Sequence, residues 1–186
     1  MSNITIAYHS GYGHTKKVAE AVASGVSSVH GTKVIFLDVT QVDEPIDGFE
    51  NGWEAIQSSE GVLFGCPTYM AGPSAQFKTF ADASAKPWFA RLWKDKIGGG
   101  FTNSMSNAGD KANTLGYLFG LAAQHEMNWV TLGIRNDGNL NRSGFYVGVG
   151  TQSDNASPEE TPGDADIETA RLYGERFGQA VLRWIK

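Results

Sequence analysis

Apolar positions along the chain follow two rhythms that alternate from the first residues onward. Asn3 to His9 (NITIAYH) is a short run rich in β-branched residues and reads as a buried strand. A tight segment, Ser10 to Thr15 (SGYGHT), separates it from a helical period. There Val18, Val22 and Val26 recur every four residues, Ala19 and Val29 widen the stripe, and Lys16, Lys17, Glu20 and Ser24 take the opposite face. This predicts a helix over 14–28. Further strands are expected at 33–37, 61–66, 97–102 and 128–132, the third strand stopping at Pro67. Further helices are expected at 52–58, 74–83, 110–124 and 165–184. The last of these carries Ile167, Ala170, Gly174, Phe177, Val181 and Ile185 on one side, with Gly174 and Gly178 permitting close approach to the sheet.

Strands that alternate with helices imply βαβ units and a parallel sheet. Five such strands suit an α/β, flavodoxin-like three-layer sandwich with a doubly wound, five-stranded parallel sheet, formed by one domain over residues 1–186. One stretch exceeds that minimal plan. Ile134 to Gly163 is a long connection rich in Gly, Asn, Ser and Pro, with a short extra strand expected within Gly144 to Gly150 (GFYVGVG).

Composition narrows the functional classes. The formal net charge of −5 disfavours generic nucleic-acid binding, which needs a basic surface. No stretch approaches the roughly 20 apolar residues of a membrane span. The opening MSNITIAYHS lacks a basic segment followed by an apolar one, so a cytoplasmic protein with no membrane partner is expected. Cys66 is the one cysteine, which rules out a disulfide within the chain and a cysteine-built zinc site, and it reads as a small core residue. His9, His14, His30 and His125 show no metal-ligand spacing, so no metal is expected.

In open α/β sheets ligands bind outside the carboxyl ends of the strands, so the loops after the first, third and fourth strands are the candidates. In the first loop, Ser10-Gly11-Tyr12-Gly13-His14-Thr15, two glycines let the backbone turn and bring amides close to an anion. The following helix directs its positive end at the same spot. Other phosphate and catalytic motifs fail here. Lys16 stands where a dinucleotide fingerprint needs its third glycine, and neither the P-loop nor the Gly-x-Ser-x-Gly spelling is present. The alternative is a plain tight turn with a helix cap. The second loop, Cys66 to Pro73, offers the hydroxyls of Thr68 and Tyr69 and the small Ala71 and Gly72. The third, Thr102 to Gly109, is polar enough to bond the edge of a pyrimidine-like ring. Together they suit an extended phosphorylated aromatic ligand.

Tyr8 to Thr15, Gly65 to Thr68 with Gln76 and Phe80, and the tail IETARLYGERFGQAV resemble the WrbA family of flavodoxin-like NAD(P)H:quinone oxidoreductases, over nearly the whole chain. The resemblance implies non-covalently bound FMN, NADH or NADPH as co-substrate, a quinone-like small acceptor and a homo-oligomer, dimer or tetramer. It implies hydride transfer from NAD(P)H through FMN to the acceptor. A flavodoxin-type electron carrier, or an FMN, azo or nitro reductase, is the alternative. Carried over by position, Ser10, Gly11, Tyr12, Gly13, His14 and Thr15 hold the phosphate, with Tyr12 also near the nicotinamide. Pro67, Thr68, Tyr69, Met70, Ala71 and Gly72 face the isoalloxazine, and Thr102, Asn103, Ser104, Met105, Ser106 and Asn107 contact its pyrimidine side. Trp88 covers the substrate side, its alternative being a surface helix or subunit contact, and Gln124, next to His125, takes a ring-side position. No catalytic side chain is expected, because the flavin carries the chemistry. The chain departs from the family at Tyr69, where well-known members have Arg, at Gln124, where they have His, and in lacking Gly-Thr-Gly-Gly after the fourth strand.

Overall fold

A computed structural model describes residues 1–185. In β1 (Ser2–Tyr8), Ile4, Ile6 and Tyr8 point into one apolar layer while Ala7 points into the other, as the two-residue period of a strand requires. The other strands are β2 (Thr32–Asp38), β3 (Gly61–Tyr69), β4 (Gly72–Pro73), β5 (Ile97–Ser104), β6 (Asn128–Trp129) and β7 (Val149–Gln152). The order across the sheet is β2-β1-β3-β5-β6, with β7 also beside β5, and all these pairs are parallel. Ile6 lies opposite Phe36 on one side and Leu63 on the other. β4 folds back antiparallel on the end of β3.

Helices α1 (His14–Ser27) and α6 (Asp164–Trp184) cover one face. Val18, Val22, Val26, Tyr173, Phe177 and Val181 pack there on Ile4, Ile6 and Leu63. Helices α2 (Gly52–Gln57), α3 (Ala75–Ala83) and α5 (Lys111–Gln124) cover the other, with a short α4 (Ala85–Phe89) that the periodicity did not reveal. Phe64, Phe77, Phe80, Trp93 and Leu118 form that second core. Cys66 is fully buried, and burial pushes its thiol up to about 12, which makes it an inert core residue.

Three expectations need correction. The fifth sheet position is not one strand over 128–132. β6 pairs with the start of β5 and β7 with its end, and the chain leaves the sheet between them. Leu132 is still fully buried, but its amide donates to Tyr146 O (3.0 Å) in the excursion. A short apolar run reads the same in either place. Nor does β3 stop at Pro67; it runs on to Tyr69. Its pairing with β1 ends at Gly65, so a residue without an N–H is tolerated on that side. Finally, Gly174 approaches a helix rather than the sheet. A Cβ there would collide with Val22 O of α1.

Among the described residues no helix is long and apolar enough to cross a membrane, and no group of three or more His, Cys, Asp or Glu is placed to hold a metal ion.

Candidate functional site

The chain leaves β1 at His9, whose amide donates to Gly65 O (2.9 Å) and whose Nδ1 lies 2.8 Å from Ser74 Oγ. This pair staples the first loop to the start of α3. Burial lowers the His9 pKa, so the ring is neutral near pH 7. Ser10 Oγ then accepts from Gly13 N and Lys16 N, both at 3.1 Å. Gly13 caps α1 at φ 92, a left-handed conformation that disfavours any side chain. No acceptor among the described residues meets the N–H groups of Gly11, Tyr12, His14 or Thr15. The first turn of α1 contains no carboxylate. Four free donors at a positive helix end form an anion-binding nest. A phosphoryl group fits this chemistry.

The second loop contributes Pro67, Thr68 and Tyr69. Thr68 Oγ1 lies 2.9 Å from Thr102 Oγ1 and 2.8 Å from Thr114 Oγ1, and Thr102 Oγ1 donates to Cys66 O (2.7 Å). These hydroxyls join β3, β5 and α5 beneath the cleft. The Tyr12 and Tyr69 rings meet edge to face at 6.2 Å and flank the opening. Burial, reinforced by Tyr12, raises the Tyr69 pKa, so its phenol remains a donor. From β5, Asn103 sets its carboxamide between Thr151 Oγ1 (2.9 Å) and Ser153 Oγ (3.0 Å), and Ser104 and Met105 complete that wall.

A fourth segment joins them that was not foreseen. Ser153, Asp154, Asn155, Ala156 and Pro158 line the same cleft. Ser153 N donates to Ser104 O and Asp154 N to Met105 O, each at 3.0 Å. His14 Nδ1 donates to Thr161 O (3.0 Å) and Lys17 Nζ to Glu159 O (3.2 Å), which ties this segment to α1. The signal available was the long Gly/Asn/Ser/Pro-rich connection itself.

The cleft so formed has a volume of about 540 Å³, within the usual range for a cofactor site. Ser10, Tyr12, His14, Thr15, Pro67, Thr68, Tyr69, Asn103, Ser104 and Met105 line it, and Gly11 and Gly13 lie between lining residues of the first loop. Eight further expected residues lie outside the lining. Met70 (φ 46) and Ala71 (φ 68) make the tight turn between β3 and β4, with Met70 fully exposed and Gly72 just after them. Thr102 is buried beneath the cleft, and Ser106 and Asn107 turn their carbonyls to Lys111. Within one chain Gln124 and Trp88 lie apart from the cleft: they border a separate hollow of about 470 Å³ with Tyr117 and His125. The reason is helix length, since α5 starts beside the cleft at Lys111 and its 14 residues carry Gln124 roughly 20 Å away. A larger hollow of about 790 Å³ lies between α2 and α3 around Trp53, Phe80 and Trp93. The smaller cleft, at the carboxyl ends of β1, β3 and β5 where open α/β sheets bind ligands, is the candidate site.

Comparison with known proteins supplies a family context. Residues 7–132 match the model of the family described as NADPH-dependent FMN reductase. A Pseudomonas aeruginosa protein named Flavodoxin FldP is 38% identical, with 96% of each chain covered. An Archaeoglobus fulgidus NAD(P)H dehydrogenase (quinone) is 30% identical, covering 96% of this chain and 97% of its own. The crystal structure of a flavodoxin, WrbA-like protein from Agrobacterium tumefaciens is 44% identical and superposes with a TM-score of 0.77, covering 98% and 99% of the two chains.

Proposed function

Because the chain belongs to the NADPH-dependent FMN reductase family, built on a flavodoxin-like fold, it is an FMN-dependent oxidoreductase that uses NAD(P)H, and we propose that its cofactor sits in the cleft at the carboxyl ends of β1, β3 and β5. The observation that carries this reading is the set of unpaired amides at Gly11, Tyr12, His14 and Thr15, at the positive end of α1 and open to that cleft. Those amides and the Thr15 hydroxyl hold the phosphoryl group. Pro67, Thr68 and Tyr69 bound one side of the ring, and Asn103 to Met105 with Ser153 to Ala156 bound the other. When bound, FMN supplies the hydride chemistry; the protein supplies position, electrostatics and shielding from water. Tyr12 and Tyr69 lie at the mouth, where the nicotinamide and then a quinone-like acceptor dock in turn. That order of events predicts ping-pong kinetics.

The test is direct. The purified protein is expected to bind FMN with quenching of its fluorescence, and anaerobic NADPH or NADH is expected to bleach the visible flavin band. An FMN titration without any spectral change or heat overturns the assignment of the cleft. The relative named Flavodoxin FldP favours a second reading, an electron carrier between proteins. A loaded protein that neither nicotinamide reduces, yet which accepts electrons from a reductase partner, supports that one.

A homo-oligomer is proposed because Trp88, Phe89 and Leu92 form an exposed apolar group on and after α4. Light scattering that shows a monomer at all concentrations counts against it. A cytoplasmic setting suits a chain whose one cysteine is buried and unpaired, and cell fractionation tests this.

A further inference from the structure

Lys111 is the first residue of α5 and is fully buried. Its ammonium has three partners, and all are neutral: Ser104 Oγ (2.8 Å), Ser106 O (2.9 Å) and Asn107 O (2.6 Å). The Phe145 ring lies 5.7 Å away. The carboxylate that favours its charge, Asp166 on α6, is already committed to Arg142 (3.0 and 3.1 Å) and to Gln152 N (2.9 Å). Arg142 and the positive end of α5 both oppose a cation here. Burial brings the pKa down to about 8, so the group is still charged near pH 7. A cation kept where burial, helix end and a second cation all oppose it calls for a use.

That use is visible in the loop it holds. Every carbonyl from Ser104 to Asn107 is engaged. Ser104 O accepts from Ser153 N, Met105 O from Asp154 N, and Ser106 O and Asn107 O from Lys111 Nζ. The N–H groups of Met105, Ser106 and Asn107 meet no acceptor among the described residues. Lys111 thus draws the Ser106 and Asn107 carbonyls to itself, and the loop's unpaired backbone groups among the described residues are all donors. Ser104 links the ammonium directly to the wall of the cleft. A donor-only edge backed by a buried positive charge favours a ring edge that gains electron density over one that does not.

We propose that Lys111 is a positioning residue which shapes the 104–107 loop into this donor-only edge and thereby makes the site bind reduced FMN in preference to oxidised FMN. The inference rests on the placement of FMN in this cleft. Its test compares wild type with Lys111→Met, which keeps length and removes charge and donors. Two quantities are measured: the Kd for oxidised FMN by fluorescence quenching, and the two-electron midpoint potential of the bound flavin. Affinity for reduced FMN is expected to fall about tenfold more than affinity for oxidised FMN, which lowers the potential by about 30 mV. If the two affinities fall by the same factor and the potential holds, Lys111 only props the loop and the proposal is overturned. Ser104→Ala gives the same comparison should Lys111→Met fail to fold. It cuts the link from the ammonium to the cleft and is expected to shift the ratio about threefold in the same direction; an unchanged ratio overturns the proposal. Wild type that binds no FMN overturns the site assignment and this inference together, whereas wild type that binds FMN with an unchanged ratio in the variants overturns the inference alone.

Discussion

The two ends of the sheet are built from similar backbone and put to different uses. Left-handed residues occur at both: Gly13, Met70, Ala71 and Asp110 at the carboxyl ends of the strands, Arg91, Asp95 and Glu126 at the amino ends. Backbone strain alone therefore does not mark the site. Polar satisfaction does. At the amino ends, Arg91 chelates Glu126 (2.6 to 3.2 Å), Asp95 N donates to Glu126 O (3.0 Å), and Trp93 stacks on His125 at 4.0 Å. At the carboxyl ends, the amides of Gly11, Tyr12, His14, Thr15, Met105, Ser106 and Asn107 meet no acceptor among the described residues. One end is finished by its own chain; the other keeps a row of donors free.

If this division is real, damage to the finished end lowers stability and spares binding. The largest effect is expected from Trp93→Ala. The ring is buried against Phe64, Phe80, Trp53 and His125. Its removal is expected to cost about 3–5 kcal/mol in urea unfolding. The Kd for FMN in the folded protein should stay within about twofold, less than about 0.5 kcal/mol. A large loss of affinity in protein that is still fully folded would merge the two ends into one functional unit.

His125 is the exception within the finished end, and pH sharpens the contrast there. Ser84 Oγ donates to Ala81 O (2.6 Å), so it accepts from His125 Nε2–H at 2.8 Å, and His125 Nδ1 is left with no partner. Burial depresses the pKa to about 4. The unfolded chain takes up this proton near 6.5, the folded protein near 4, so the unfolded state binds more protons in between. Stability is complete above pH 6.5 and is expected to fall by up to about 3 kcal/mol as pH drops towards 4. His125→Leu should flatten that slope in denaturant titrations. It should not abolish it, because His9, also depressed by burial, contributes with the same sign. An unaltered slope in the variant would show that His125 is not the titrating group.

How far the sequence carries this picture differs between its parts. The Val18–Val22–Val26 stripe and the β-branched Asn3–His9 run are local patterns, and they marked β1 and α1 closely. Topology then pointed to the loops after β1, β3 and β5, and those loops do converge. Pairings distant in sequence were not legible. β7 joins β5 across about fifty residues, so Ser153 to Pro158 reach the cleft through a contact that no periodicity reports. Gln124 is a different case, placed away from the cleft of its own chain. A helix that starts at the cleft carries its far end away from that same cleft within 14 residues, and that geometry was already implicit in the predicted helix.

Within the unfinished end, Ser10→Ala separates capping from anion binding. Ser10 Oγ satisfies Gly13 N and Lys16 N, and it also lines the cleft. Its loss is expected to cost about 1 kcal/mol of stability, as for other helix caps. FMN affinity should fall about tenfold, or roughly 1.4 kcal/mol. Unchanged affinity would mean that the loop keeps its shape without the hydroxyl.

The smallest expected effect asks whether strain at the carboxyl ends serves binding at all. Ala71 sits at φ 68 in the turn between β3 and β4, outside the lining of the cleft. A left-handed alanine costs about 1–2 kcal/mol, which glycine does not incur. Glycine in turn loses about 0.5–1 kcal/mol through its freer unfolded chain. Ala71→Gly should therefore raise stability by about 0.5 kcal/mol and leave FMN affinity unchanged. If affinity falls while stability rises, the alanine is holding Tyr69 and Thr68 in place, and the strain belongs to the site. If neither changes, unpaired amides are what set the two ends apart, and the bent turn is only how β3 ends.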